Sequence, residues 1–402
     1  MAGNGQQIIV LNRSLMLGDF LKFGIGFSSK EDSKSAAVEA INTALKSFRV
    51  FEDPVFSMIF TTAGYDQEAV VKTAKELLGN SKFAGICGGG ILTSHGMLDQ
   101  GVGVLTVAGK LKAETTLQIC GNTDPREVGE TAGRDLLKSG ISEGTVFIFP
   151  ESLSKNISEM ITGLYNIMGP DYTYVGGGSG DNFNSKNSYQ FTDEGAEEGA
   201  LAVALVDGLS IKTCLGHGWK PKMVPLIMNQ VHDKRIFEIN GRTAWDIYCE
   251  EADAFNPYEL KKYGIPNPLG FPDLSGNYLI RDPIEINPDG SMDFITEISR
   301  YSVGYLMEAD LEAILQNTRE VALRTLKSGK KPSFVLVFNC LFRYNIVNRE
   351  FKEEFDVLKD VFGEDVPIFG VLTFGEVGSY FDVPILQNKS LIITAVYDDM
   401  GD

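Results

Sequence analysis

A chain of 402 residues that is 43% hydrophobic and 22% charged can bury a sizeable core, which excludes disorder as its default state. Its 36 basic against 54 acidic side chains leave a net charge of -18, which repels phosphate backbones and anionic lipid and sets nucleic acid and membrane aside as partners. No run reaches the ~18 apolar residues of a membrane span, and the start MAGNGQQIIVLNRSLML has no basic segment before an apolar one, so a cytoplasmic location is expected.

In chain order, residues 1–21 read as an extension, after which apolar strands and amphipathic helices alternate. Three stretches then follow one plan of strand, helix, strand, glycine-rich turn and β-run. The first runs VFSMIFTTA, a helix from Gln67 to Leu78, FAGICGGGIL and GVGVLTVAG. The second runs TVFIFPES, a helix from Ile157 to Met168, YTYVGGGSGD and GALAVALVDG. The third runs FVLVFNC, a helix from Val347 to Phe362, VPIFGVLTFGEVG and SLIITAVYD. A further helix precedes each: Ser35 to Phe48, Pro125 to Lys138 behind an Asp124 cap, and Ala309 to Leu326. The unit is α-β-α-β-β, with an extra strand between units. Its nearly continuous apolar runs predict α/β architecture: mixed sheets covered by helices in a layered sandwich.

Five cysteines, Cys87, Cys120, Cys214, Cys249 and Cys340, are never paired as C-x-x-C, and His95, His217 and His232 add no close ligand pair. Reduced thiols and no metal are expected. The glycine turns are where chemistry can sit: Gly85 to Ile91, Gly177 to Asp181, and Gly370 to Glu376. A strand running into glycines lets a ligand approach main-chain N–H groups, or simply makes a bend. Gly90 is followed by Ile91 and Gly375 by Glu376, so neither is a P-loop, and the β-runs behind all three turns exclude a dinucleotide fingerprint. Ser179 in GGSGD fails the nucleophile elbow. Arg343 can fork onto a ligand carboxylate or pair with a carboxylate of its own fold; Arg281 is a second candidate of that kind. Glu376 or Asp181 can accept from an ammonium group. Cys340, closing an apolar strand, reads as a small hydrophobe or a nucleophile.

VGGGSGDNF, EEGALAVALVDGLSIKTCLGHGWKP and FEINGRTAWDIY resemble the N-terminal domain of the FIST family. NPLGF, IRDPIEINPDGSM, the C-x-x-R of Cys340 and Arg343, FGVLTFGEVG and Asn388 resemble its C-terminal domain. One departure stands out: where the family's first turn often closes with Gly-Glu, this chain has Gly90 and Ile91. The resemblance implies a FIST N domain of two repeats at 22–248 and a FIST C domain at 249–402, with the break between Tyr248 and Pro268. It also implies a sensor of a small ligand, an amino acid or similar metabolite, signalling through a partner protein. The implied ligand contacts are Gly177, Ser179, Gly180, Asp181, Arg281, Cys340, Arg343, Thr373, Gly375 and Glu376. The alternatives are a haem-based gas sensor, otherwise no cofactor being expected, and an enzyme acting on a small polar metabolite. The ligand is expected where the glycine turns converge.

Overall fold

A computed structural model of the chain describes residues 20–48, 53–152, 156–180, 188–252, 267–273, 276–344, 352–380 and 383–398. The first unit is β1 (Lys22–Ser28), α1 (Ser33–Leu45), β2 (Phe56–Thr62), α2 (Gln67–Leu78), β3 (Lys82–Gly88), the hairpin β4 (Ile91–Thr93) and β5 (Gly96–Leu98), and β6 (Val102–Ala108). The second repeats it as β7 (Lys112–Ile119), α3 (Pro125–Leu137), β8 (Gly144–Pro150), α4 (Ile157–Met168), β9 (Tyr172–Gly177), the hairpin β10 (Tyr189–Thr192) and β11 (Gly195–Glu198), and β12 (Ala200–Asp207). The third opens with β13 (Ser210–Gly216) and is then interrupted by an inserted sheet.

That insert comprises β14 (Lys220–His232), β15 (Arg235–Ile239), β16 (Arg242–Thr243), α5 (Ala244–Ala252), β17 (Leu269–Pro272), β18 (Tyr278–Arg281), β19 (Pro283–Ile286), β20 (Met292–Phe294) and β21 (Val303–Glu308). The third unit resumes with α6 (Leu311–Arg324), β22 (Phe334–Cys340), the short α7 (Leu341–Tyr344), α8 (Lys352–Phe362), β23 (Ile368–Thr373), the hairpin β24 (Glu376–Tyr380) and β25 (Val383–Gln387), and β26 (Leu391–Tyr397). The part of the expected third-unit helix before Lys352, most of the expected domain boundary, and residues 1–19 lie outside the described residues. Aspartates cap the helices that read most plainly in the sequence: Asp66 on α2, Asp124 on α3 and Asp310 on α6 each accept a backbone N–H of the first turn.

Each unit founds a six-stranded mixed sheet in which its second and third strands, β2 with β3, β8 with β9 and β22 with β23, run parallel. The hairpin after each glycine turn leaves its own sheet. β4–β5 joins the third sheet through β23, β10–β11 joins the first through β3, and β24–β25 joins the second through β9. The exchange is cyclic and closed, and periodicity within a unit gave no sign of it.

The three sheets turn their inner faces to one core, while α1 with α2, α3 with α4, and α6 with α8 cover the outer faces. Near-continuous apolar strands follow from that, because each is buried on both sides. At the centre, Phe60, Phe149 and Phe338 meet with ring centroids 5.9–6.1 Å apart, one aromatic from each of β2, β8 and β22. Among the described residues no helix is long and apolar enough to cross a membrane.

Phe338→Ala should remove a fully buried ring from all three sheets at once and lower stability in urea by about 3–5 kcal/mol. Leu323→Ala, on a side chain 51% exposed, should change it by less than about 0.5 kcal/mol. Equal effects would show that the aromatic triangle does not close the core.

Candidate functional site

The three glycine turns do converge, and they do so on one another. Gly89 N–H donates to Leu372 O (2.8 Å) and Leu372 N–H to Gly90 O (2.9 Å). Gly178 N–H donates to Gly375 O (2.8 Å), and Gly180 N–H to Cys87 O (2.9 Å). A Cβ at Gly177 would strike Thr373, and one at Gly180 would strike the Phe374 ring. These glycines admit neighbouring protein rather than ligand, which corrects the expectation that Gly177 and Gly180 leave main-chain groups open. Gly375 is required for another reason, its φ of +96°.

Strand register makes three quasi-equivalent corners. The paired strand ends are Thr62 with Gly88, Glu151 with Ser179, and Cys340 with Thr373. Each exchanged hairpin begins its pairing at a matching position, with Ile91, Gln190 and Glu376. A residue at or just ahead of the start of each closing strand accepts a strand-end N–H: Thr62 N to Gly101 O, Glu151 N to Ala200 O, and Cys340 N to Ser390 O. Gln190, not Asp181, is therefore the counterpart of Glu376; Asp181 lies outside the described residues.

The first corner is apolar at Ile91. The second is closed upon itself. Gln190 Oε1 accepts from Ala200 N–H (2.8 Å), its Nε2 donates to Ser179 Oγ, and Ser179 bonds Ser188. In the third, Glu376 is fully buried; it accepts from Thr373 Oγ1 (2.7 Å), Ser390 N–H (3.1 Å) and Ser390 Oγ (2.9 Å), with the Cys340 thiol beside it. Burial outweighs these donors and raises its pKa to about 8. Burial and the Glu376 charge also push the Cys340 thiol up, so it holds its proton at neutral pH and is a poor nucleophile.

Beside Glu376 lies a group that sequence reading missed. Lys389 is fully buried, with its Nζ 5.1 Å from the Phe342 ring centroid and 5.6 Å from that of Trp219. Its φ is +53°, whereas the quasi-equivalent position of the second corner holds Gly199 at φ +65°. A lysine held where a glycine suits the backbone costs about 1–3 kcal/mol. Asp282, between β18 and β19 of the insert, approaches to 2.8 Å. Beyond this ion pair, Lys389 Nζ and both Asp282 oxygens have no hydrogen-bond partner among the described residues, nor do Gln387 Nε2 and Asn339 Oδ1. Burial raises the pKa of Asp282, opposed by Lys389. The signal available in the sequence was Asn388-Lys389-Ser390 before the last strand, read only as far as Asn388.

Arg343 is engaged throughout. Its Nε (3.3 Å) and Nη2 (2.7 Å) donate to Glu354, while the guanidinium also donates to the carbonyls of His217 and Ile314 and to Thr318 Oγ1. Of the two readings the sequence leaves open for Arg343, the geometry supports pairing within its own fold. Arg281, half-buried, donates to the carbonyls of Glu297 and Ile280. His217 Nδ1 accepts from Trp219 N–H (3.0 Å), and burial and the Arg343 charge lower its pKa to about 4, so it stays neutral. Among the described residues no group of three His, Cys, Asp or Glu could hold a metal ion.

Residues 55–242 match the FIST N domain and residues 244–379 the FIST C domain. The chain belongs to the FIST family. FIST domains are sensory domains of signal transduction rather than catalysts, and are thought to bind small ligands. No curated protein matches the chain. Similar solved structures include a chorismatase (9% identity, TM-score 0.37, covering 94% of this chain and 99% of that one). Another is T. maritima PurL complexed with FGAR (11% identity, TM-score 0.23, covering 96% and 74%). Neither similarity is close enough to bear on the site.

Arg343→Met strands Glu354 in the interior, so stability without ligand should fall by about 3–5 kcal/mol in denaturant unfolding; a loss under about 1 kcal/mol would show the pair to be dispensable. Glu376 titrates near 8 when folded against 4.5 when free, so the folded state keeps a proton that the unfolded state releases. Its contribution to stability is full below about pH 4.5 and is lost as pH rises towards 8. Glu376→Gln should flatten the decline in stability over that window, measured by urea unfolding at several pH values. An unchanged slope would assign the titration elsewhere.

Proposed function

We propose that this FIST protein senses a small polar metabolite of the amino-acid class in its third corner and passes the signal to a partner protein. One observation carries the reading. Of three quasi-equivalent corners, the first carries the apolar Ile91 where the third has Glu376, the second satisfies Gln190 and Ser179 within itself, and the third buries Lys389 Nζ and the Asp282 oxygens with no hydrogen-bond partner beyond their own ion pair among the described residues. Such atoms cost about 1–3 kcal/mol each when unsatisfied, and function is a recognised reason for keeping them. A ligand with donors and acceptors on a small frame satisfies them. The protonated thiol of Cys340 and the engaged nitrogens of His217 favour binding over nucleophilic chemistry.

The site also touches the elements that would have to respond. Glu376 opens the exchanged hairpin and Lys389 with Ser390 follows it, while Val377 and Leu386 within it pack into the cluster shared with α3 and α4. A ligand held at both ends of this hairpin would stiffen its seat in the second sheet.

A thermal-shift panel of amino acids and related small metabolites tests the proposal, because a ligand that binds only the native state raises apparent stability with its excess. At least one amino acid should raise the melting temperature in a concentration-dependent way. Glu376→Ile, which imports the residue of the first corner, should abolish that shift while still unfolding cooperatively. A panel without response, or a shift unchanged in the variant, would overturn the reading.

A further inference from the structure

Lys389 and Asp282 come from different parts of the chain, one from the turn closing the third unit and the other from the inserted sheet. Both are buried, at 0% and 3% exposure. They form an ion pair at 2.8 Å with no further hydrogen-bond partner among the described residues, and an ammonium with three donors and a carboxylate with two oxygens each retain bonding capacity beyond one contact. The second corner keeps glycine at the left-handed position that Lys389 occupies, so this backbone has no intrinsic need of a lysine. Aromatic faces at 5.1 and 5.6 Å complete surroundings suited to an ammonium group.

The other ionisable groups nearby have partners of their own, Arg281 donating to the carbonyls of Glu297 and Ile280. Arg343 is bound to Glu354, and Glu376 to Thr373 and Ser390. Lys389 and Asp282 are the pair with partners to exchange.

We infer that Lys389 and Asp282 set the charge specificity of the site, each giving up the other for the opposite end of a zwitterionic ligand. This rests on the small-ligand reading above. Lys389 takes the ligand carboxylate, and Asp282 takes the ammonium beside the aromatic rings. An acid without an amino group would leave Asp282 unmatched in the interior, and an amine without a carboxylate would leave Lys389 so. The exchange also makes the ligand the bridge between the insert and the third unit.

Matched triples test this by thermal shift and calorimetry: alanine, propanoate and ethylamine; leucine, isocaproate and isoamylamine; phenylalanine, phenylpropanoate and phenylethylamine. Wild-type protein should bind the amino acid of at least one triple about 10- to 100-fold more tightly than either relative. Asp282→Asn should erase the preference over the des-amino acid, and Lys389→Met the preference over the amine. The double variant, which buries no unmatched charge, and Lys389→Gly, which restores the residue of the second corner, show whether a lost preference comes from a folded protein. Amino-acid binding with preferences unchanged in folded single or double variants overturns the inference and leaves the sensor reading intact. Equal binding of all three members by wild type also overturns the inference alone. Silence across every triple overturns the inference as well, and a silent wider metabolite panel then overturns the sensor reading itself.

Discussion

The contact of Phe60, Phe149 and Phe338 organises the rest of the molecule. Three sheets cannot bury their inner faces on one core unless their central strands β2, β8 and β22 point the same class of side chain at a common axis. Once they do, the ends of the strands crowd together, and the chain leaving each strand meets the neighbouring sheet before its own. The hairpins are exchanged at that crowding. The glycines of the turns follow from the same constraint, because backbone from three units must pass within hydrogen-bond distance.

Repetition built three corners, and divergence made them chemically different. A position that is Ile91 in the first and Gln190 in the second is Glu376 in the third. The change is more than one residue deep. Glu376 has Thr373 and Ser390 to receive it, Arg343 and Glu354 brace the adjoining helix, and the insert brings Asp282 to face Lys389. A buried carboxyl at this point costs stability that an isoleucine would not, so the third corner retains chemistry that packing alone does not require.

The same corner joins three bodies. Its hairpin lies in the second sheet, its helices belong to the third unit, and its facing carboxylate belongs to the insert. Thr296 of the insert donates to Asn388 (3.1 Å), and Ile280 N–H to Gln387 Oε1 (3.2 Å), so the insert is fastened to the turn that carries Lys389.

Local order was legible in the sequence because it depends on local physics. The helices Gln67–Leu78 and Ile157–Met168 end where their apolar periodicity ends, and the apolar runs VFSMIFTTA and FVLVFNC are strands covered on both faces. The repeat and the family could be read from motifs. Which sheet each hairpin joins could not, because strand pairing between units leaves no period along the chain. For the same reason Gln190 was passed over as the counterpart of Glu376, ten positions from the glycine turn that seemed to mark it. Asp282 and Lys389 are 107 positions apart, and only tertiary structure decides that a buried lysine finds that carboxylate, just as it decides that Arg343 is held by Glu354 rather than left for a ligand. Charge in an interior is governed by what surrounds it in space, and that is settled by the closing of the three sheets.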